Sequence, residues 1–131
     1  RELTEGQLIT MDHIRKYGEK AEQAEFLLFN LGWDKYWGTE AYFGNFPCMD
    51  SEVLDYIPAG QYKGIGVDAI SIDPMEDLTR HRILFREKDI INLENLKDLH
   101  LCGQDLFCFS CYPLKLENCD GSPVRAVAWF D

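Results

Sequence analysis

The residues with the clearest capacity for chemistry are His81 and Glu94, at the two ends of the segment HRILFREKDIINLENL. His81 opens an apolar-periodic stretch directly after a polar loop, and Glu94 interrupts the apolar run IINLEN. A carboxylate in such a run needs a partner, because burying an unpaired charge is costly. A metal ion and a buried basic side chain are both candidate partners. Spacing alone is weak evidence for a metal, since zinc sites usually show denser ligand clusters.

The cysteines offer a second kind of chemistry. Cys108 and Cys111 form a CxxC pair, a spacing found in redox and zinc sites. The surrounding LFCFSCYPLKL predicts a strand, and residues three apart on a strand point to opposite faces, which is poor geometry for joint ligation. An odd total of five cysteines in a chain of this length predicts reduced thiols and a cytosolic protein. A redox protein using this pair is retained as an alternative.

Composition narrows the classes of partner. The chain has 131 residues, of which 46% are hydrophobic and 27% charged, as expected for one globular domain over residues 1–131. A formal net charge of -10 argues against nucleic acid or an anionic membrane, because both attract clustered Lys and Arg. No apolar run approaches the roughly 20 residues of a membrane span. A small molecule is therefore the expected substrate, and no nucleophile elbow supports Ser-His-Asp catalysis.

The elements that must position His81 and Glu94 are short. Periodicity, caps and turn residues predict an α/β chain with helices and strands in alternation. The predicted helices cover about 11–18, 49–57, 81–88 and 95–100, and the predicted strands cover 26–31, 64–67, 89–93, 106–116 and 124–130. Asn118 to Pro123 is a strong turn signal, so the last two strands are predicted to form a hairpin.

Aromatic residues crowd the loop WDKYWGTEAYFGNFP. Its Gly and Pro residues predict a loop with short helical turns at most. Trp33, Trp37 and Phe43 could form the wall of a pocket for a flat substrate or a subunit contact. A packed loop that covers the core is an equally open reading.

Asp68 follows the predicted strand GIGV, at the end where α/β sheets commonly bind ligands. A bond from its carboxylate to neighbouring loop amides is at least as compatible with this position. Gly64 and Gly66 do not form a dinucleotide fingerprint, because the third glycine is missing and the pair lies within a strand. They indicate a strand to which another backbone or a ligand comes close.

Four blocks of the chain, taken in order, resemble the cyclase family of metal-dependent hydrolases, which includes bacterial kynurenine formamidase and isatin hydrolase. The blocks are LLFNLGWDKYWGTEAYFGNFP, then GIGVDAISID, then HRILF with IINLENLKDL, and finally PLKL with DGSPVRAVA. The resemblance implies a swivelling β/β/α fold, with a mixed sheet and short helices, that hydrolyses amide or lactam bonds of often aromatic substrates. It implies zinc or manganese with a metal-bound water as nucleophile. By the same resemblance, His81 and Glu94 are metal ligands.

The family signature His-x-Gly-Thr-His-x-Asp-Ala-Pro, which supplies the other ligands, does not occur in this sequence. The chain therefore resembles the C-terminal portion of a family member, with at most half a metal site. We expect an amidohydrolase acting on a small amide such as an aryl formamide, incomplete in this chain alone. The alternative is a non-catalytic homologue that serves as a structural or oligomerising domain. Association into a homo-oligomer is expected, because an uncovered sheet edge favours pairing.

Overall fold

The structure, a computed structural model, describes residues 3–130. Its strands are β1 Leu8–Ile9, β2 Phe26–Phe29, β3 Cys48–Met49, β4 Gly64–Val67, β5 Ile91–Leu93, β6 Cys108–Pro113 and β7 Val124–Trp129. Its α-helices are α1 Met11–Arg15, α2 Glu19–Gln23, α3 Ser51–Ala59 and α4 Thr79–His81, the last continued by a π-helical turn over Arg82–Arg86. Three 3₁₀ turns cover Asp34–Tyr36, Glu40–Phe43 and Leu99–Cys102. Within residues 3–130, no helix has the length and apolar character needed to cross a membrane.

A parallel sheet of three strands, in the order β2-β4-β5, forms the centre of the fold. Its register aligns Leu28 with Gly66 and Gly66 with Leu93. β1 pairs with β3 in a second parallel sheet, and β6 pairs with β7 in an antiparallel hairpin. The predicted α/β class with short helices is confirmed, and the parallel and antiparallel pairings occupy separate small sheets.

Gly64 and Gly66 lie in the central strand because its neighbours leave no room for a side chain. A Cβ on Gly64 would lie 2.1 Å from Cε1 of Phe26, and one on Gly66 would lie 2.6 Å from Cδ1 of Leu96. The close approach expected from the sequence is therefore real. Side chains of this chain make it, and they fill the space that a ligand would need.

The sheet separates two apolar clusters, because successive residues of a strand point to opposite faces. Leu27 and Phe29 pack against the larger cluster, and Phe26 and Leu28 pack against the smaller one. Prominent members of the larger cluster are Ile9, Met49, Val53, Ile57, Ile65, Ile72 and Leu84. The smaller cluster joins Leu93, Leu96 and Leu99 to the inner face of the hairpin, where Phe109, Cys111 and Ala126 pack.

Helix boundaries follow local capping, with three differences from the sequence prediction. Thr10 precedes α1 as expected and donates its amide to Nδ1 of His13 at 3.0 Å, but the helix ends at Arg15 and not near residue 18. The helix α2 was not predicted. In α3, Asp50 accepts the Val53 amide at 2.9 Å, and the helix continues through Pro58 to Ala59.

Strand and turn boundaries differ where Asp and Asn adopt the left-handed backbone conformation. Asp89 has a φ of 56°, so β5 begins only at Ile91. Asn95 and Asp98 have φ values of 58° and 59°, which moves the helical turn expected at 95–100 to Leu99–Cys102. Asp and Asn tolerate this conformation better than other non-glycine residues.

Candidate metal centre

The helix that carries His81 begins at Thr79, because acidic side chains cap its free amides. Oδ1 and Oδ2 of Asp73 accept the backbone amides of Arg80 and His81, each at 2.9 Å, and Asp77 accepts the Thr79 amide at 2.9 Å. First-turn amides have no partner inside the helix, so carboxylates stabilise them. His81 is therefore the third residue of the helix and not, as predicted, its first.

Beyond His81 the helix widens into a π-helical turn, in which Glu87 N donates to Arg82 O at 3.2 Å. Single π turns occur frequently at functional sites. This turn buries Leu84 fully, and the ring of Phe85 meets the imidazole of His81 edge-on at 5.1 Å between centroids. The imidazole thus projects from an element anchored in the larger apolar cluster.

Glu94 follows directly after β5, at the end of parallel strands where α/β sheets bind ligands. Asn95 next to it has a positive φ and donates its amide to Ala69 O at 2.9 Å, and Leu96 donates to Val67 O at 3.0 Å. These bonds hold the chain after Glu94 against the end of β4. The turn directs the carboxylate towards His81.

His81 and Glu94 meet, although thirteen positions separate them in the sequence. Nε2 of His81 lies 3.1 Å from Oε1 of Glu94, and their side chains are 31% and 26% exposed. Each is also held from the other side: Nδ1 of His81 lies 2.8 Å from Oδ2 of Asp73, and Nδ2 of Asn92 donates to Oε1 of Glu94 at 2.8 Å. The carboxylate that the sequence left without a partner therefore has two.

Asp73 is a residue of the candidate site that the sequence did not single out. Its side chain is fully buried, and Nη1 of Arg80 lies 3.3 Å from its Oδ1. Arg80 in turn donates from Nε and Nη2 to the Met49 carbonyl, at 2.9 and 2.8 Å. The sequence signal was an Asp-Pro turn, which does not indicate a contact with a side chain eight residues later.

The pair of His81 and Glu94 has the chemistry and spacing of two ligands on one divalent cation. Ligand atoms each about 2.0–2.2 Å from a shared ion lie about 3 to 3.5 Å from each other at ordinary coordination angles. The 3.1 Å separation of Nε2 and Oε1 falls in this range. A bound imidazole usually donates its other N–H to a carboxylate or carbonyl, as His81 can to Asp73. These residues fit a metal, and they supply two ligands of the three or four that one requires.

A second group of possible ligands lies on the surface. Within residues 3–130, one group of three metal-ligating side chains has its ligand atoms within 4.8 Å of one another. Its members are Asp34, Asp98 and His100. Asp98 and His100 are exposed, and the Asp98 amide donates to Oδ2 of Asp34 at 3.0 Å. Exposed acidic groups commonly cluster without an ion, so we assign no site here.

Asp68 is buried and its carboxylate is committed to the loop that follows β2. It accepts the backbone amides of Leu31 at 2.9 Å, Gly32 at 2.8 Å and Trp33 at 3.2 Å. Burial raises the pKa of Asp68, and the amide bonds oppose that shift. These contacts match the bond to loop amides considered from the sequence, and they join the start of the aromatic loop to the end of β4.

The aromatic loop divides into a buried anchor and an exposed rim. Trp33 is a core residue, and its Nε1 donates to the Tyr42 carbonyl at 3.1 Å. Trp37 and Phe43 are 64% and 55% exposed and flank the Tyr42 ring, with centroid distances of 5.1 and 5.9 Å. The Tyr42 hydroxyl donates to Oδ1 of Asn95 at 2.9 Å, beside Glu94. The exposed rings of Trp37 and Phe43 therefore connect to the His81–Glu94 pair through Tyr42.

Tyr42 is the second polar residue near the pair that the sequence did not single out. Burial, and then the nearby carboxylates of Asp68, Asp34 and Glu94, raises the pKa of its phenol to about 12. It therefore acts as a neutral hydrogen-bond donor at neutral pH. Neither of two surface cavities of about 510 Å³ is lined by His81, Glu94 or Tyr42.

Cys108 and Cys111 lie on opposite faces of a strand, as predicted for residues three apart. Cys108 is exposed, whereas Cys111 packs against the smaller apolar cluster from the opposite face of β6. All five cysteines are free thiols. Burial raises the pKa of Cys48 to about 11 and also raises the pKa of Cys102, which makes both poor nucleophiles.

Comparison with known proteins identifies the family. The model of the family described as Putative cyclase matches residues 1–74, which is more than half of the chain. The chain belongs to this cyclase family. An uncharacterized protein of Methanocaldococcus jannaschii is 33% identical over 125 residues, covering 94% of this chain and 62% of that protein. The kynurenine formamidase of Bacillus anthracis is 36% identical over 83 residues, covering 62% of this chain and 39% of the enzyme.

Solved structures confirm the cyclase fold. Isatin hydrolase A from Ralstonia solanacearum superposes with a TM-score of 0.81 at 23% identity, covering 95% of this chain and 54% of that structure. An isatin hydrolase bound to thioisatinate gives a TM-score of 0.80. The chain therefore spans less than two thirds of these cyclase-family proteins. At this identity the likeness defines the fold, and the activities belong to the relatives.

Proposed function

We propose that this cyclase-family chain contributes half of the active site of a metal-dependent hydrolase, with His81 and Glu94 as ligands of Zn²⁺ or Mn²⁺. The observation that carries the proposal is the 3.1 Å contact between Nε2 and Oε1, on two elements that the fold brings together. His and carboxylate ligation suits both metals. The names of the relatives, kynurenine formamidase and isatin hydrolase, support the reaction class.

The residues of this chain have separate tasks in that site. When bound, the metal would lower the pKa of a water molecule and polarise a carbonyl group. His81 presents Nε2 while Nδ1 is engaged by Asp73, and Glu94 presents a carboxylate held by Asn92. A catalytic zinc site has three protein ligands, so at least one further ligand from outside this pair must join them.

The proposed substrate is a small amide with an aromatic ring, such as an aryl formamide. Trp37 and Phe43 expose flat apolar surface on both sides of Tyr42, and the Tyr42 hydroxyl contacts the residue after Glu94. Aromatic rings stack on such surfaces at modest energetic gain. The negative net charge is consistent with a small-molecule substrate and not with nucleic acid.

Substitution of the ligands tests the proposal. When the further ligands that the site requires are present, we expect His81→Ala and Glu94→Ala to lose stoichiometric Zn²⁺ or Mn²⁺, measured by calorimetry and elemental analysis, and to lose hydrolysis of an aryl formamide. Glu117→Ala removes a carboxylate from an exposed position and should retain both properties. Full activity in either ligand variant would refute the assignment. Failure of the unsubstituted protein to bind either metal when those further ligands are present would favour a non-catalytic role.

A second candidate function, association with another copy of the chain, is favoured by the exposed surface. A folded monomer of 15.2 kDa has an accessible surface of about 7,100 Å², whereas residues of this chain expose 8914 Å². Much apolar surface lies on the outer face of the hairpin, where Tyr112 and Trp129 are exposed. Sedimentation velocity should show a dimer or larger species that Trp129→Ser weakens. A monomer at all concentrations would exclude this role.

A further inference from the structure

We propose that Asp73 is a positioning residue for the metal centre, which holds His81 in the tautomer whose Nε2 lone pair faces Glu94. Its effect on the imidazole does not depend on a metal, whereas its effect on metal affinity rests on the proposed function. Asp73 has no place in the ligand pair itself. It acts only through His81.

The hydrogen-bond geometry determines the tautomer. Oδ2 of Asp73 lies 2.9 Å from the backbone amide of His81 and 2.8 Å from its ring Nδ1. Both ring nitrogens face a carboxylate, which only accepts hydrogen bonds when ionised. The contact of Nδ1 with Asp73 is a hydrogen bond, whereas the contact of Nε2 with Glu94 is a longer charge contact without hydrogen-bond alignment, so the proton of the neutral ring is assigned to Nδ1. Nε2 is then the atom left to present a lone pair, and it is the atom 3.1 Å from Glu94. Because one oxygen holds both the main chain and the ring, it also restrains the ring orientation.

The charge of Asp73 is balanced inside the protein. Its side chain has no exposed surface, and Arg80 supplies the compensating positive charge through Nη1 at 3.3 Å. Arg80 is itself nearly buried and is held by two bonds to the Met49 carbonyl, at the end of β3. A buried carboxylate without such a partner would be strongly unfavourable. The network therefore fixes the acceptor before any ligand binds.

Asp73→Asn is the informative substitution, because it replaces one acceptor oxygen by a donor of the same shape. Four donors face the two oxygens of Asp73: both backbone amides, the Arg80 guanidinium and His81 Nδ1. Of these four, only the imidazole can change into an acceptor, by moving its proton to Nε2. The amide nitrogen is therefore expected to turn towards His81, and the tautomer should switch.

Asp77→Asn is the matched control. Asp77 accepts the amide and the hydroxyl of Thr79 and lies 3.8 Å from Nη1 of Arg80, and none of these contacts reaches the His81 ring. A purely structural role of Asp73 would make the two variants alike in every property but thermal stability. The positioning role predicts that only Asp73→Asn changes the ring.

The first measurement is long-range ¹H–¹⁵N NMR of the histidine rings in metal-free protein, at a pH where the imidazole is neutral. His81→Ala assigns the signals. We expect the Nδ1–H tautomer in the unsubstituted chain and in Asp77→Asn, and the Nε2–H tautomer in Asp73→Asn. An Nε2–H tautomer in the unsubstituted chain would overturn the proposal even if Asp73→Asn fails to fold. An unchanged tautomer in folded Asp73→Asn would also overturn it.

The second measurement is calorimetric titration with Zn²⁺ and with Mn²⁺ when the further ligands that the site requires are present. Loss of the partner of a metal-bound histidine typically weakens affinity by about 10- to 100-fold, so we expect that loss in Asp73→Asn and little change in Asp77→Asn. Equal affinity in all three proteins would overturn the positioning role. If none binds metal while the tautomers behave as expected, the proposed function fails and the assignment of Asp73 as the residue that sets the tautomer stands.

Discussion

Replacing Asp68 by Ala should destabilise the fold far more than the loss of an exposed carboxylate. The carboxylate accepts three backbone amides, and two of them, those of Leu31 and Trp33, are buried. Each buried donor left without a partner costs about 1–3 kcal/mol, which gives about 2–6 kcal/mol for the pair. The third amide, of Gly32, is partly buried and can bond to water.

The cost of burying the charged carboxylate partly offsets this loss of stability. Burial raises the pKa of Asp68, which shows that the charged form is disfavoured inside the protein. Removing the carboxylate relieves that cost, so the net destabilisation should lie near about 2–4 kcal/mol. This is a large part of the roughly 5–15 kcal/mol by which a domain is stable. Asp68→Asn retains an acceptor oxygen and should fall between Asp68→Ala and the unsubstituted chain.

Urea unfolding monitored by circular dichroism measures the effect, with Asp120→Ala as control because that carboxylate is exposed. For a domain of this size the expected loss lowers the melting temperature by roughly 10 °C. A destabilisation below about 1 kcal/mol with an unchanged m-value would refute the reasoning. It would mean that the three amides find other partners or that the charged form costs as much as the bonds contribute.

Two further predictions concern packing and pH. Gly64→Ala should destabilise the chain by about 1–3 kcal/mol, because its Cβ would lie 2.1 Å from Cε1 of Phe26 and 3.0 Å from Ile91 O. The control Gly121→Ala places a Cβ with nothing within 4 Å and should leave the free energy of unfolding in urea unchanged. Equal destabilisation by the two substitutions would contradict this prediction. The pKa of Tyr42 is raised from 10.0 to about 12, so the unfolded chain loses this proton first, and stability present below pH 10 is lost as the pH rises towards 12. Tyr42→Phe should reduce the loss of unfolding free energy between pH 10 and pH 12 by about 3 kcal/mol. Parallel pH profiles of the two proteins would exclude a contribution of the Tyr42 phenol.

The candidate site could be predicted in part because some of its signals are local. Glu94 stands out as a carboxylate in an apolar run, and the resemblance to the cyclase family joined it to His81. The structure brings the two atoms within 3.1 Å. Asp73 and Asn92 gave no such signal, because an Asp before Pro and an Asn in a short strand are ordinary turn and strand-end residues.

Element boundaries, too, were predicted where they depend on neighbouring residues and missed where they depend on distant contacts. The helix expected over 49–57 and the strand over Gly64–Val67 were predicted from neighbouring residues, and both are present. The left-handed conformations of Asp89 and Asn95 were not predicted, because Asp and Asn adopt this conformation or the ordinary one according to the contacts around them. These two residues set where β5 begins and where Glu94 points.

The sequence alone determined the α/β class, the order of most strands and helices, the terminal hairpin and the two residues with metal-ligand chemistry. Apolar periodicity, caps and turn residues act over a few positions, so a linear reading can detect them. Tertiary structure alone decided that Asp73 faces the far side of the His81 ring and that Trp33 is a core residue while Trp37 and Phe43 form an exposed rim. The reason is physical: a hydrogen bond or a buried face depends on where distant segments return, and residue type does not specify that. His81 and Glu94 acquire a defined ring orientation and separation only through those long-range contacts.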